Sequence, residues 1–310
     1  MSAAIALGEV EQKAIDDLGL HRIDTSELTI DRISARERFI FVREGIRGVG
    51  HRDLKRIAEL AIPPAWSEVR IATDSNAHLQ AVGRDEAGRL QYVYHSAWED
   101  VRSAGKAFRL IQMGQALPRL RPAIERNLRN DGPNLSFAAA TRLVDLLHLR
   151  AGHETYAGEE GGRGVATLLK RHLQIDGASF RLCFRGKGGK RIEKNHKDAQ
   201  LAMVLAELCR IRGSRLFKLK TEDGYRPMTA SDLNKFLAEV SGKPVTAKDF
   251  RTNYASATAL DKLSHIGQVD SPAACRRAIA EICTADQRRS WQYGCDHAEK
   301  LHPPADNREI

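Results

Sequence analysis

Three cations, set among helix and turn signals, are the residues of this chain best suited to chemistry. Arg150 ends an apolar helical run over 137–149, with Leu143, Leu146, Leu147 and Leu149 on its buried side and Gly152 just beyond. Lys187 lies in Phe180-Arg-Leu-Cys-Phe-Arg-Gly-Lys-Gly-Gly-Lys190, an alternating strand with Phe180, Leu182 and Phe184 on one face, then a glycine turn. Arg251 follows Thr246-Ala-Lys-Asp249, where a threonine and a carboxylate three residues on satisfy the free amides of a helix start. Attack on a phosphodiester builds charge on the nonbridging oxygens and on the departing oxygen, so its catalysis needs preorganised cations and a proton donor. Arginine suits the first need, because its planar fork holds two oxygens and never loses its charge. Plainer readings exist: Arg150 as a partner for helix-end carbonyls, Arg251 as a surface arginine.

The elements around these cations follow from periodicity. Residues 1–38 mix acidic and apolar positions without a motif and read as an N-terminal extension. Within 39–112, short runs at Trp66–Ile71, Leu79–Gly83 and Leu90–Tyr94, separated by Asp74-Ser-Asn and Asp85-Glu-Ala-Gly88, predict an antiparallel sheet, preceded by a short helix over Asp53–Leu60. After His95 the period becomes helical, with Trp98, Val101, Ala104, Phe108, Ile111 and Met113 as one stripe. Pro118 and Pro122 are expected to break that helix, and a connecting segment is expected near Arg109–Leu117. The segment 113–282 reads as mainly helical, with the hairpin of Lys187, a helix over His196–Arg210 and another from Ser231, its expected N-cap, to Val240. The fold class is therefore α+β, a small antiparallel β-rich domain and a larger, mainly helical one.

Composition sets the class of partner. A chain of 310 residues, 42% apolar, is long enough for two domains, and a net charge of +9 with a pI near 9.4 favours a polyanion. RNA-binding proteins share that balance. Cys183, Cys209, Cys275, Cys283 and Cys295 form no Cys-x-x-Cys pair, which suits a reduced cytoplasmic protein without a zinc site. No signal peptide or apolar run of about 18 residues appears, so no membrane association is expected.

The strings LRAGHETYA, GVATLLKRH, FRGKGGK and TAKDFRT, with IPPAW and HLQAVGRDEAGRLQYVYH upstream, resemble the signatures of type IB DNA topoisomerases of the poxvirus-like bacterial branch. Order and spacing carry the match over roughly residues 40 to 280. The resemblance implies a two-domain clamp acting as a monomer on double-stranded DNA in the nucleoid, with neither metal nor nucleotide cofactor. It implies that Arg150 and Arg251 clamp the phosphate and that Lys187 protonates the leaving 5′ oxygen. Arg84, Arg89, Gln91, Tyr92, Lys170, Arg171 and Lys190 become candidate DNA contacts, although solvated polar faces account for them equally. A tyrosine recombinase shares the Arg, Lys, Arg, Tyr set, but helices would then replace the strands expected over 62–95.

The family's nucleophilic tyrosine lies in a string like Leu-Gly-Asn-Thr, then Arg-Lys-Ser-Tyr-Ile-His-Pro, and forms a 3′-phosphotyrosyl link. This chain instead reads Arg289-Ser-Trp-Gln-Tyr-Gly-Cys-Asp-His-Ala-Glu-Lys-Leu-His-Pro-Pro304, with Leu301 at the nucleophile's place and only Tyr293 and His297 as substitutes. Codons compatible with Trp291 through Pro304, read one nucleotide later, permit Gly-Asn-Thr-Ala-Ala-Ile-Thr-Arg-Lys-Ser-Tyr-Ile-His-Pro. The expectation is a frameshift between Ile282 and Trp291, with 283–310 an anomalous, poorly packed tail. The alternative is a DNA-binding clamp that does not cleave.

Overall fold

The computed structural model describes residues 7–36, 38–43, 45–157, 161–266 and 271–289, and the chain divides into two compact units, 1–109 and 110–310. The first unit holds helix α1 (Leu7–Asp17), strands β1 (Ile30–Ala35), β2 (Arg38–Arg43) and β3 (Ile46–Arg47), helix α2 (His51–Glu59), and strands β4 (Ser67–Ile71), β5 (Leu79–Arg84) and β6 (Leu90–Tyr94). The strands form one antiparallel sheet in the order β3-β2-β1-β4-β5-β6. Its strands over 62–95 are those expected from alternation, and β5 is buried along nearly its whole length. Ile57 of α2 packs on Ile30, Val69, Ile71 and Ala81. α1, for which the sequence offered no role, buries Ile15, and Leu20 just beyond it, against Trp98 and Val101.

Helix α3 runs unbroken from Trp98 to Arg129, and the division between the units falls inside it. Pro118 and Pro122 do not end it, contrary to expectation. Each proline removes one ladder hydrogen bond. Packing outweighs that loss, because Ala116, Leu120, Ile124 and Leu128 of the same stretch are buried in the core of the second unit.

That core is built around α4 (Leu135–Leu147), whose Ala138, Ala139, Ala140, Leu143, Val144 and Leu147 are all buried. A helix apolar on most sides belongs inside, and α4 packs against α5 (Ala199–Arg210), α6 (Ala230–Ser241) and α7 (Ala247–Ser264). Ahead of α5 comes a three-stranded sheet of β7 (Leu173–Asp176), β8 (Ser179–Arg185) and β9 (Arg191–Lys197), in the order β7-β8-β9. Phe180, Leu182 and Phe184 of β8 face the core as their alternation requires. The hairpin β10 (Lys218–Thr221) and β11 (Gly224–Pro227) precedes α6, and α8 (Pro272–Arg289) follows α7. Residues 290–310 of the expected anomalous tail lie outside the described residues.

Two helices open on the same pairing of a threonine with a carboxylate three residues on. α7 opens as expected: the buried Asp249 carboxylate accepts from the Thr246 amide and hydroxyl, both at 2.7 Å. α6 is capped by Thr229, not Ser231. The Thr229 hydroxyl accepts from the Asp232 amide at 3.1 Å while the Asp232 carboxylate accepts from the Thr229 amide at 2.9 Å. A carboxylate three residues after threonine makes the reciprocal pair that Ser231 lacks.

Candidate active site

Arg150 is set by how α4 ends. His148 adopts the left-handed conformation, φ 55° and ψ 38°, and its amide donates to the Val144 carbonyl at 3.0 Å, so the helix stops before Arg150 rather than carrying it. The chain then leaves Leu149 buried and Arg150 exposed.

A glycine strap joins this segment to the turn of Lys187. The Val165 amide donates to the Arg150 carbonyl and the Ala166 amide to the Ala151 carbonyl, while on the other side the Arg163 amide donates to the Arg185 carbonyl, all at 2.8 Å. Gly162 passes so close to the hairpin turn that a Cβ there would lie 2.7 Å from the Gly186 carbonyl oxygen and 2.8 Å from Lys187 Cα. Thr167 locks the strap by accepting from the Gly164 amide at 2.9 Å. The turn is closed by the Gly186 amide donating to the Lys190 carbonyl at 2.7 Å, and it holds Lys187 and Lys190 exposed.

Arg251 comes from the second turn of α7 and is half-buried. Its Nη1 donates to the His148 carbonyl, two residues before Arg150. Burial first, and then the Arg150 charge, push the Arg251 pKa down from its ordinary value. Two guanidiniums thus share one locality beside the strap that leads to Lys187. The Asp145 carboxylate is engaged by Arg121, at 3.0 and 3.2 Å, so positive potential remains at the two arginines.

Three further residues join this cluster without having been singled out. The His148 ring stacks on Tyr254, with centroids 3.5 Å apart and planes 16° from parallel. Burial, ahead of the charges of Lys194 and Arg251 and against that of Asp145, pushes the His148 pKa down to about 4. Lys194 is 7% exposed at a core-facing position of β9, and burial followed by Arg251 lowers its pKa. A lysine in register with Leu182, between Ile192 and His196, is a visible break in the strand's alternation. Tyr254 shares a helix face with Arg251 by its spacing of three, whereas nothing local points to His148.

The candidate DNA contacts divide. In the first unit Asp85 accepts from the Arg89 Nε and from Gln91, each at 2.9 Å, and the Arg89 bonds ahead of the rest hold its pKa at about 2. Arg84 donates to Glu68 at 2.8 Å and to the Gly88 carbonyl at 3.0 Å, while Tyr92, 46% exposed, stacks with Tyr94. In the second unit Arg171 is exposed, but half-buried Lys170 is not a solvated cation. Its ammonium donates to the Ile211 carbonyl at the C-terminal end of α5, which also accepts from Lys218 at 2.9 Å. Orphan carbonyls at a helix end draw such donors. Cys183, Cys209 and Cys275 are free thiols, and no helix among the described residues is long and apolar enough to cross a membrane.

Comparison with known proteins places the chain in a family. Residues 96–298 match the family model of the eukaryotic DNA topoisomerase I catalytic core, and residues 38–85 match that of the bacterial DNA topoisomerase IB N-terminal domain. DNA topoisomerase 1B of Acanthamoeba polyphaga mimivirus is 32% identical over 213 residues, 65% of this chain and 62% of that protein. Among solved structures, the XerH site-specific recombinase bound to difH substrate, in its pre-cleavage complex, is 12% identical over 58% of this chain and 49% of its own, with a TM-score of 0.30. Its post-cleavage complex with palindromic difH substrate is 13% identical over 67% of this chain and 60% of its own, also with a TM-score of 0.30. With a catalytic-core model spanning most of its length and a second model covering part of its N-terminal sheet, this chain belongs to the type IB DNA topoisomerase family.

Proposed function

We propose that this chain is built to bind duplex DNA and to relax supercoils by transferring one strand to a tyrosine and back. The observation that carries this is the pair Arg150 and Arg251, the second bonded to the carbonyl of His148 two residues before the first, beside the strap to Lys187. No carboxylate among the described residues pairs with either arginine; like charges held together in this way are stabilised by an anion, and a phosphodiester supplies it. A tyrosine phenolate attacks phosphorus, the bond from phosphorus to the 5′ oxygen breaks, and the Lys187 ammonium gives its proton to that oxygen. The product is a 3′-phosphotyrosyl link and a free 5′ hydroxyl; the reverse attack reseals the strand. Arg84, Arg89, Gln91, Tyr92, Arg171 and Lys190 are the proposed contacts that position the duplex.

The tyrosine is the open term, since Leu301 stands in its place. We propose that the gene or its sequence carries a frameshift ahead of Trp291, so that the shifted frame spells the nucleophile string. A Leu301 codon ending in A gives TAC in that frame; one ending in G, C or T excludes this explanation. The strands over 62–95 favour a topoisomerase over a recombinase. The absent tyrosine favours a second reading for the chain as written, a DNA-binding protein that does not cleave. Plasmid relaxation without metal or ATP, measured beside gel-shift binding, separates the two. Binding without relaxation by this chain, with relaxation restored by the corrected frame, is the expected result. Relaxation by the chain as written overturns the frameshift, and failure to bind duplex overturns both readings.

A further inference from the structure

We propose that His148 and Tyr254 are a positioning pair that fixes the guanidinium of Arg251, an inference resting on the phosphate role given to Arg251 above. A closed circuit of contacts supports it. Arg251 and Tyr254 leave α7 three residues apart, hence from one face. The Tyr254 ring lies against the His148 ring at 3.5 Å, and the His148 carbonyl accepts from Arg251 Nη1, which returns to α7.

Each link needs the others. A left-handed backbone at a residue other than glycine costs about 1–2 kcal/mol, so His148 at φ 55° must be held by something outside its own backbone. The stacked ring does that, and the left-handed turn is what aims the carbonyl away from α4 and at α7. An arginine side chain carries about 2 kcal/mol of rotamer entropy, and binding one edge of the fork removes much of it before any phosphate arrives. The remaining nitrogens stay available to two phosphate oxygens. Burial keeps the imidazole neutral, with Asp145 on α4, Lys194 on β9 and Arg251 and Tyr254 on α7 as the groups that face it, so the pair positions charge without adding any. Its Nδ1 is buried and has no hydrogen-bond partner among the described residues, in keeping with a ring held by stacking.

The test is the salt dependence of duplex binding by the full chain, which needs no cleavage. Arg251→Ala should reduce the slope of log K against log salt by about 0.9, one phosphate contact. Tyr254→Ala removes no charge, yet should reduce the slope by the same amount, and the double variant should lose no more than either single one. Tyr254→Phe should restore the slope, because the stack uses the ring face and not the hydroxyl. His148→Asn, which tolerates the left-handed turn but lacks the ring, should behave as Tyr254→Ala does and serves where that variant fails to fold. A slope lost with Arg251→Ala but kept with both Tyr254→Ala and His148→Asn, additive losses, or no rescue by phenylalanine overturns the pair alone. An unchanged slope for Arg251→Ala removes the phosphate role and the pair with it.

Discussion

Arg150 and Arg251 have one proposed task and two different attachments. Arg150 is exposed and engaged through its backbone, so Arg150→Ala should change unfolding free energy by less than about 0.5 kcal/mol. Arg251 is half-buried and donates a charged hydrogen bond to His148, so Arg251→Ala should cost about 1.5–3 kcal/mol in urea unfolding. Equal losses would show that the two sites do not differ as their contacts do. Two half-buried imidazoles add a pH signature. His148 and His172 both have pKa values pushed down to about 4, chiefly by burial, from an unfolded value near 6.5. Between those values the unfolded chain binds more protons than the folded one, so stability is full above about pH 6.5 and is lost as pH falls toward 4. The urea midpoint should therefore drop between pH 7 and 4.5. His172→Asn should flatten part of that drop, since an amide oxygen can replace the Nδ1 that accepts from Leu169 at 3.1 Å, and an unaltered pH curve would refute the assignment.

Among the elements, the strap from Gly162 to Thr167 holds the site together, because it bonds Arg150 on one side and the hairpin of Lys187 on the other. A methyl group at Gly162 meets backbone at 2.7 and 2.8 Å, where no flexible side chain can yield. Gly162→Ala should cost about 1–3 kcal/mol and displace the turn, lowering any cleavage rate more than duplex affinity. Gly132→Ala, whose new methyl would find only one atom, at 4.0 Å, is the control and should be close to neutral. Equal behaviour of the two variants would mean the strap does not set the turn. The glycine cluster at 161–164 is legible in the sequence as a loop. What it touches is not, since the contact at Gly186 lies more than twenty residues on and leaves no mark on local periodicity.

For the molecule as a whole, the net charge of +9 is an expectation about salt. If six or more phosphates are neutralised, duplex affinity should fall about 10³-fold or more between 50 and 200 mM salt, and a flat profile in a binding titration would show that the charge serves another purpose. The sequence by itself determined the α+β class, the strands over 62–95, the capping box at Thr246 and the three cations with the glycine turns beside them. All of these rest on alternation, helical period or turn chemistry within a few residues. Only the tertiary structure decided that α3 continues through Pro118 and Pro122, that Lys170 is drawn to the end of α5, that Lys194 is buried, and that Arg251 is held by the carbonyl of a residue 103 positions earlier. Each of those outcomes depends on which distant surfaces meet, and burial and pairing between them outweigh the preference of any single residue.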